Sequence, residues 1–301
     1  MSKKLNNDPI VVALEPTEEG KHVFAAASRI AASQHRTLHP IKVVRPAITI
    51  YADLNFSPLT ETALDWQREL LRENRAYLER IPELAPEHMA NLTVIEGNPI
   101  YEIGRAIDKN SASLAIMGVH NRRGFKRLLG STTHGVLNST DCDLLAVHPD
   151  GENKAYSRVL IAVDTSDLLD RVLAEAARYC ENAEHIDIVS VVVPLTQVFP
   201  SPETAIGLQP SFAVLTDDIK QQTSTKIAAA VKKAGLSEFT IDVRMGDPRD
   251  EIVAAAKEYE TDLIVMGSNN RGAISRLLVG STARGVLDHT PCDVLICRDH
   301  H

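Results

Sequence analysis

The sequence predicts an α/β fold built as two repeated, doubly wound, mainly parallel five-stranded sheets with flanking helices, Rossmann-like in plan. Three observations predict it. Short β-branched apolar runs alternate with longer amphipathic segments, which is how parallel strands joined by crossover helices read. The alternation is written twice. Gly97-Asn98-Pro99, Ile116-Met117-Gly118, Gly130-Ser131-Thr132, Gly135-Val136-Leu137 and Cys142-Asp143 return in the same order as Gly246-Asp247-Pro248, Val265-Met266-Gly267, Gly280-Ser281-Thr282, Gly285-Val286-Leu287 and Cys292-Asp293. Finally, 301 residues suffice for two domains of roughly 150 residues, each burying its own core. The expected domains are 1–149 and 156–301, joined by a short polar linker around Pro149 to Tyr156.

Taken in order, the first-half strands are expected at Ile10 to Leu14, Leu38 to Val44, Leu92 to Glu96, Leu114 to Met117 and Leu144 to His148. Those of the second half fall at Val159 to Val163, Ile186 to Val193, Ile241 to Met245, Leu263 to Met266 and Val294 to Cys297. Asn98 and Asp247 can cap helices over Pro99 to Asn110 and Pro248 to Glu258, with proline in the first turn where its missing N–H costs nothing. Longer helices are expected over Leu59 to Ile81, carrying Leu64, Leu70, Leu71 and Leu78, and over Phe212 to Ala234, carrying Ile219, Ile227 and Val231. The proline-containing stretches before them, Arg45 to Pro58 and Pro194 to Pro210, read as lids, interface loops or plain surface loops.

Composition narrows the class of function. A formal net charge of -8 offers no chain-wide attraction to nucleic acid or anionic membranes. Apolar runs stay short of the ~18 residues that span a bilayer, so a cytoplasmic protein is expected. Cys142, Cys180, Cys292 and Cys297 form no C-x-x-C pair and read as reduced, structural cysteines. His134 and His148 stand where the second copy has Arg284 and Arg298. That exchange argues against a metal or catalytic role, and both read as surface residues. Trp66, on the long first-half helix, is expected to pack against the sheet or a partner.

In a parallel sheet the ligand crevice lies beyond the carboxyl ends of the strands. In the second half three such ends converge: Asp164-Thr165-Ser166, Val191-Val192-Val193, and Gly267-Ser268-Asn269-Asn270-Arg271-Gly272. The last runs on to Gly280-Ser281-Thr282, where a helix start offers free amides and a positive dipole end to phosphate, and Ser281 and Thr282 add hydroxyls.

With these residues in place, the tandem copies resemble the universal stress protein family across both halves, most strongly from Gly246 to Arg298. The resemblance implies a sheet of the adenine nucleotide alpha hydrolase-like kind and an ATP site with Mg2+. Its nucleotide-binding members follow the fourth strand with Gly-x-x-Gly, an interval, then Gly-Ser or Gly-Thr. Gly267, Gly280 and Ser281 match, with Asn270 in place of the second glycine. Asp164 matches the adenosine-side acid, and Val191 the backbone position facing adenine. In the first half, Gly118 and Gly130 remain. However, their interval is one residue shorter, Asn121 replaces glycine, Glu15-Pro16 stands for Asp164-Thr165, and Lys42 for Ser190. The first domain is therefore expected to bind nucleotide weakly or not at all.

The basic loop from His120 to Arg127 reads equally as a triphosphate guide or a solvated turn, while Arg271 and Arg276 are the better phosphate candidates. Asp164 also reads as a plain helix cap. The leading expectation is a stress-response protein that binds ATP in its second domain and acts on unknown protein partners as a regulatory module, with at most slow hydrolysis. The alternatives are a nucleotide-free scaffold and a binder of another small molecule in the same fold. The resemblance further implies that the last strands pair within one chain as a pseudo-dimer. Whether two chains form a homodimer stays open at this point.

Overall fold

The β-branched runs of the amino-terminal half form β1 (Ile10–Ala13), β2 (Leu38–Val44), β3 (Thr93–Glu96), β4 (Leu114–Gly118) and β5 (Asp143–Val147). Those of the carboxy-terminal half form β6 (Arg158–Ala162), β7 (His185–Val192), β8 (Phe239–Met245), β9 (Leu263–Gly267) and β10 (Asp293–Cys297). The structure is a computed structural model and describes residues 8–46, 61–81, 88, 90–119, 130–149, 155–194, 209–268 and 279–299. The chain divides into two compact units, one extending to Lys154 and the other starting at Ala155. Within the first the strand order is β3-β2-β1-β4-β5, and the second repeats it as β8-β7-β6-β9-β10. All pairings within each unit are parallel. Strands β5 and β10 are buried at every residue, so side chains on both faces of the pleat are covered, as parallel sheets require.

The described helices are α1 (Glu18–Gln34), α2 (Glu61–Leu78), α3 (Pro99–Asn110), α4 (Ser131–Ser139), α5 (Leu169–Ala176), α6 (Gln209–Ala234), α7 (Pro248–Glu258) and α8 (Ser281–His289). Helices α3 and α7 have the expected bounds and caps. Asn98 Oδ1 accepts from the Ile100 N–H at 3.0 Å, and Asp247 Oδ1 from the Arg249 N–H at 2.9 Å. Each satisfies a first-turn donor that has no intrahelical partner. Ile227 and Val231 of α6 are fully buried.

Two expectations need correction. Trp66 is 67% exposed and Leu64 62%, so of the two settings expected for Trp66, sheet or partner, the sheet is excluded, while Gln67 and Leu78 of the same helix are buried. His148 and Arg298 are buried, because they continue the line of β5 and β10, and both are engaged by neighbours. The exchange of imidazole for guanidinium thus trades one buried hydrogen-bonding group for another. The four cysteines are free and buried. Burial pushes the Cys180 and Cys292 thiols up to about 12, which keeps them protonated and inert. The stretches 47–60 and 195–208 of the expected loops lie outside the described residues, as do the basic loop from His120, Asn121, Asn270, Arg271 and Arg276.

Candidate functional site

The strand order reverses between β1 and β4 in one unit and between β6 and β9 in the other. At such a switch point the chain leaves two adjacent strands in opposite directions and a crevice opens beyond their carboxyl ends. Both units have a cleft there. In the second it has a volume of about 430 Å³ and brings together Asp164, Val191, Gly267, Gly280, Ser281 and Thr282. Six of the seven residues singled out in the sequence therefore line one cleft, and the seventh, Asn270, lies outside the described residues.

Leu168, Leu169, Val172, Val193 and Ile252 give it apolar lining. Parallel pairing explains the part played by Val191. The Val163 N–H bonds the Val189 carbonyl at 2.9 Å, the last rung between β6 and β7. Backbone groups two residues apart on a strand point the same way, so the N–H and C=O of Val191 face the space that β6 has left. One donor beside one acceptor is the complement of a purine edge. Gly280 begins α8 without a side-chain cap. The Arg284 N–H reaches back to the Gly280 carbonyl at 3.1 Å, which leaves the amides of Ser281, Thr282 and Ala283 as the unsatisfied donors of the first turn. Asp164 is the one ionisable side chain among the described residues lining the cleft. Its Oδ1 accepts from the Ser166 N–H at 3.0 Å, closing a tight turn after β6.

The first unit has the same crevice at about 50 Å³. Three contacts fill it. The buried Lys42 ammonium forms an ion pair with Glu15 across the end of β1, where the second unit has Ser190 and Asp164. Thr133 Oγ1 donates to the Gly118 carbonyl at 3.1 Å, while Ala283, its counterpart, has no hydroxyl to do so. The third contact is made by the helix start. Val23 lies against Gly118 and Val172 against Gly267, so Gly20 and Leu169 occupy equal places. A Cβ on Gly20 would stand 1.9 Å from the Glu15 carbonyl oxygen. Only glycine lets α1 start this close to the strand end. Leu169 cannot approach in that way, and α5 begins there, eight residues long against 17 for α1. With Glu15 and Glu19 in its wall, the first crevice is also poorly disposed to phosphate.

The sequence missed Leu168, Leu169, Pro248 and Ile252 as cleft residues, and Ser166 and Val193 as distinct ones. Leu169 was open to discovery, since it is the large residue opposite Gly20 in the repeat. Val193, part of the converging strand end Val191-Val192-Val193, is 42% exposed there.

The doubly wound parallel sheets with a crevice at each switch point define the class: a tandem, Rossmann-like α/β protein with a ligand-sized cleft in one copy. The chain belongs to the universal stress protein family, a family of stress-response proteins whose model matches twice, over residues 6–148 and 155–298. It is 25% identical over 304 residues to a universal stress protein E homolog of Haemophilus influenzae, covering 95% of this chain and 96% of that protein. A universal stress protein of Methanocaldococcus jannaschii is 30% identical over 49% of this chain and 85% of its own. The crystal structure of a universal stress protein from Archaeoglobus fulgidus shares the fold, with a TM-score of 0.62, 20% identity and coverage of 98% of this chain and 97% of that one.

Proposed function

We propose that the second unit binds an adenine nucleotide, ATP with Mg2+, and that the protein acts as a cytoplasmic regulatory or interaction module rather than a fast enzyme. The observation that carries this reading is the pairing, in one cleft, of Val191's free backbone edge with the uncapped amino terminus of α8. The purine edge would meet the first and the phosphates the second. The apolar side chains lining the cleft suit a ring and a sugar. Asp164, Val191, Gly267, Gly280, Ser281 and Thr282 are the proposed contacts, together with Asn270, which stands in the sequence where the family's phosphate loop has its second glycine. Magnesium would arrive with the triphosphate, since it characteristically binds through phosphates and few protein ligands. Among the described residues no cluster of His, Cys, Asp or Glu forms a metal site, and no helix is long and apolar enough to cross a membrane.

Calorimetric titration of nucleotide-stripped protein with Mg-ATP tests the reading. One saturable site per chain is expected. The Gly280→Asp variant should weaken it by on the order of a hundredfold, because a carboxylate then stands where phosphate must sit, yet the helix keeps a good cap residue. Absence of binding by the intact wild-type protein would sink the proposal.

A further inference from the structure

Ser166 and Thr17 hold the same place, two residues after the acid that follows the first strand of each unit. Thr17 Oγ1 accepts from the Gly20 N–H at 3.1 Å and caps α1. In the second unit the capping bond is not made. The Leu169 N–H turns to the Ser166 carbonyl at 3.1 Å, and α5 starts with no side-chain cap. The Ser166 hydroxyl is left buried and without a hydrogen-bond partner, on a residue that lines the cleft. A buried hydroxyl in that position has lost its water and gained nothing in return. Serine has three staggered χ1 positions, so a change of rotamer can re-aim the hydroxyl toward a group arriving in the cleft.

The neighbouring carboxylate says what kind of group that is. The bond from the Ser166 N–H to Asp164 Oδ1 holds both residues on one tight turn. The carboxylate only accepts, whereas the hydroxyl both donates and accepts. Two adjacent hydroxyls of a sugar satisfy that pair together. We infer that Ser166 is a ligand-contacting residue, released from helix capping by Leu169, and that its hydroxyl binds the ribose diol beside Asp164. The inference rests on the nucleotide reading of this cleft.

The test compares wild-type protein with Ser166→Ala and Ser166→Thr, each titrated calorimetrically with Mg-ATP and with Mg-2′,3′-dideoxy-ATP and melted without nucleotide. Ser166→Ala should weaken ATP by roughly three- to tenfold, the weight of one hydrogen bond. It should leave the dideoxy analogue's affinity unchanged and the melting temperature undiminished, and Ser166→Thr should restore ATP affinity. Three results would overturn the assignment while leaving the nucleotide site standing: unchanged ATP affinity in Ser166→Ala, an equal loss for the dideoxy analogue, or a lowered melting temperature, which would make the hydroxyl structural. Wild-type protein that binds neither nucleotide would overturn the site itself, and Ser166 with it.

Discussion

The two crevices occupy the same place in the same topology, yet one has about 50 Å³ and the other about 430 Å³. Strand order alone therefore positions a site without making one. The difference comes from a few exchanged side chains. Lys42 and Glu15 fill by ion pairing what Ser190 and Asp164 leave open. Thr133 takes a strand-end carbonyl that Ala283 leaves alone. Gly20 admits a helix start that Leu169 holds off. One copy's crevice is filled by its own side chains, and the other holds a ligand-sized space.

The strongest way to break this comparison is to put a side chain on Gly20. With its Cβ only 1.9 Å from a carbonyl oxygen, Gly20→Leu must displace the start of α1, and a loss of about 3 kcal/mol is expected in urea unfolding. A variant as stable as wild type would mean that this contact does not hold α1 down. Next in size is the cap. Thr17→Ala should cost about 1 kcal/mol in the same assay, against no loss for Ser166→Ala. Equal costs at the two positions would erase the asymmetry between the helix starts.

The smallest expected effect concerns acid. In the second unit Asp242 accepts from Arg244 Nε at 2.6 Å and from the Tyr259 hydroxyl at 2.7 Å, where the first unit has Thr93, Ile95 and Asn110. Burial works to raise the Asp242 carboxyl, but these hydrogen bonds and the Arg244 charge outweigh it and hold the group below its ordinary value. Its folded pKa is thus lower than its unfolded one. The stabilisation is present in full above the unfolded value, about 4, and is lost as pH falls through the folded one. Asp242→Asn should therefore lower stability at pH 7 and matter progressively less below pH 4, by urea titration at each pH. A penalty independent of pH would show that the shape of the side chain, not its charge, is at stake.

Much of this was legible in the residues. The repeat, the strands and the capped helices α3 and α7 follow from local signals: apolar periodicity, and Asn98-Pro99 and Asp247-Pro248 at helix starts. Six of the seven residues read as the site do share the cleft wall, because strand ends in a parallel sheet must converge at the switch point. Trp66 is not packed on the sheet and His148 is not at the surface, since an aromatic on an amphipathic helix does not say which of its neighbours the sheet covers. Nor does a residue exchanged between repeats say whether its place is buried.

The sequence by itself determined two doubly wound copies and the location of a crevice in each, because strand and helix periods are properties of short segments. Glu15 and Lys42 already marked the first crevice as the poorer one, but how each crevice is filled was settled in the tertiary structure. It depends on how closely α1 and α5 approach the ends of β1 and β6, on a Lys42–Glu15 pair spanning two strands, and on the Thr133 hydroxyl bonded to the Gly118 carbonyl. Each of these is a contact between residues brought together by folding, and its outcome is set by the space a single Cβ, hydroxyl or ammonium group can occupy there.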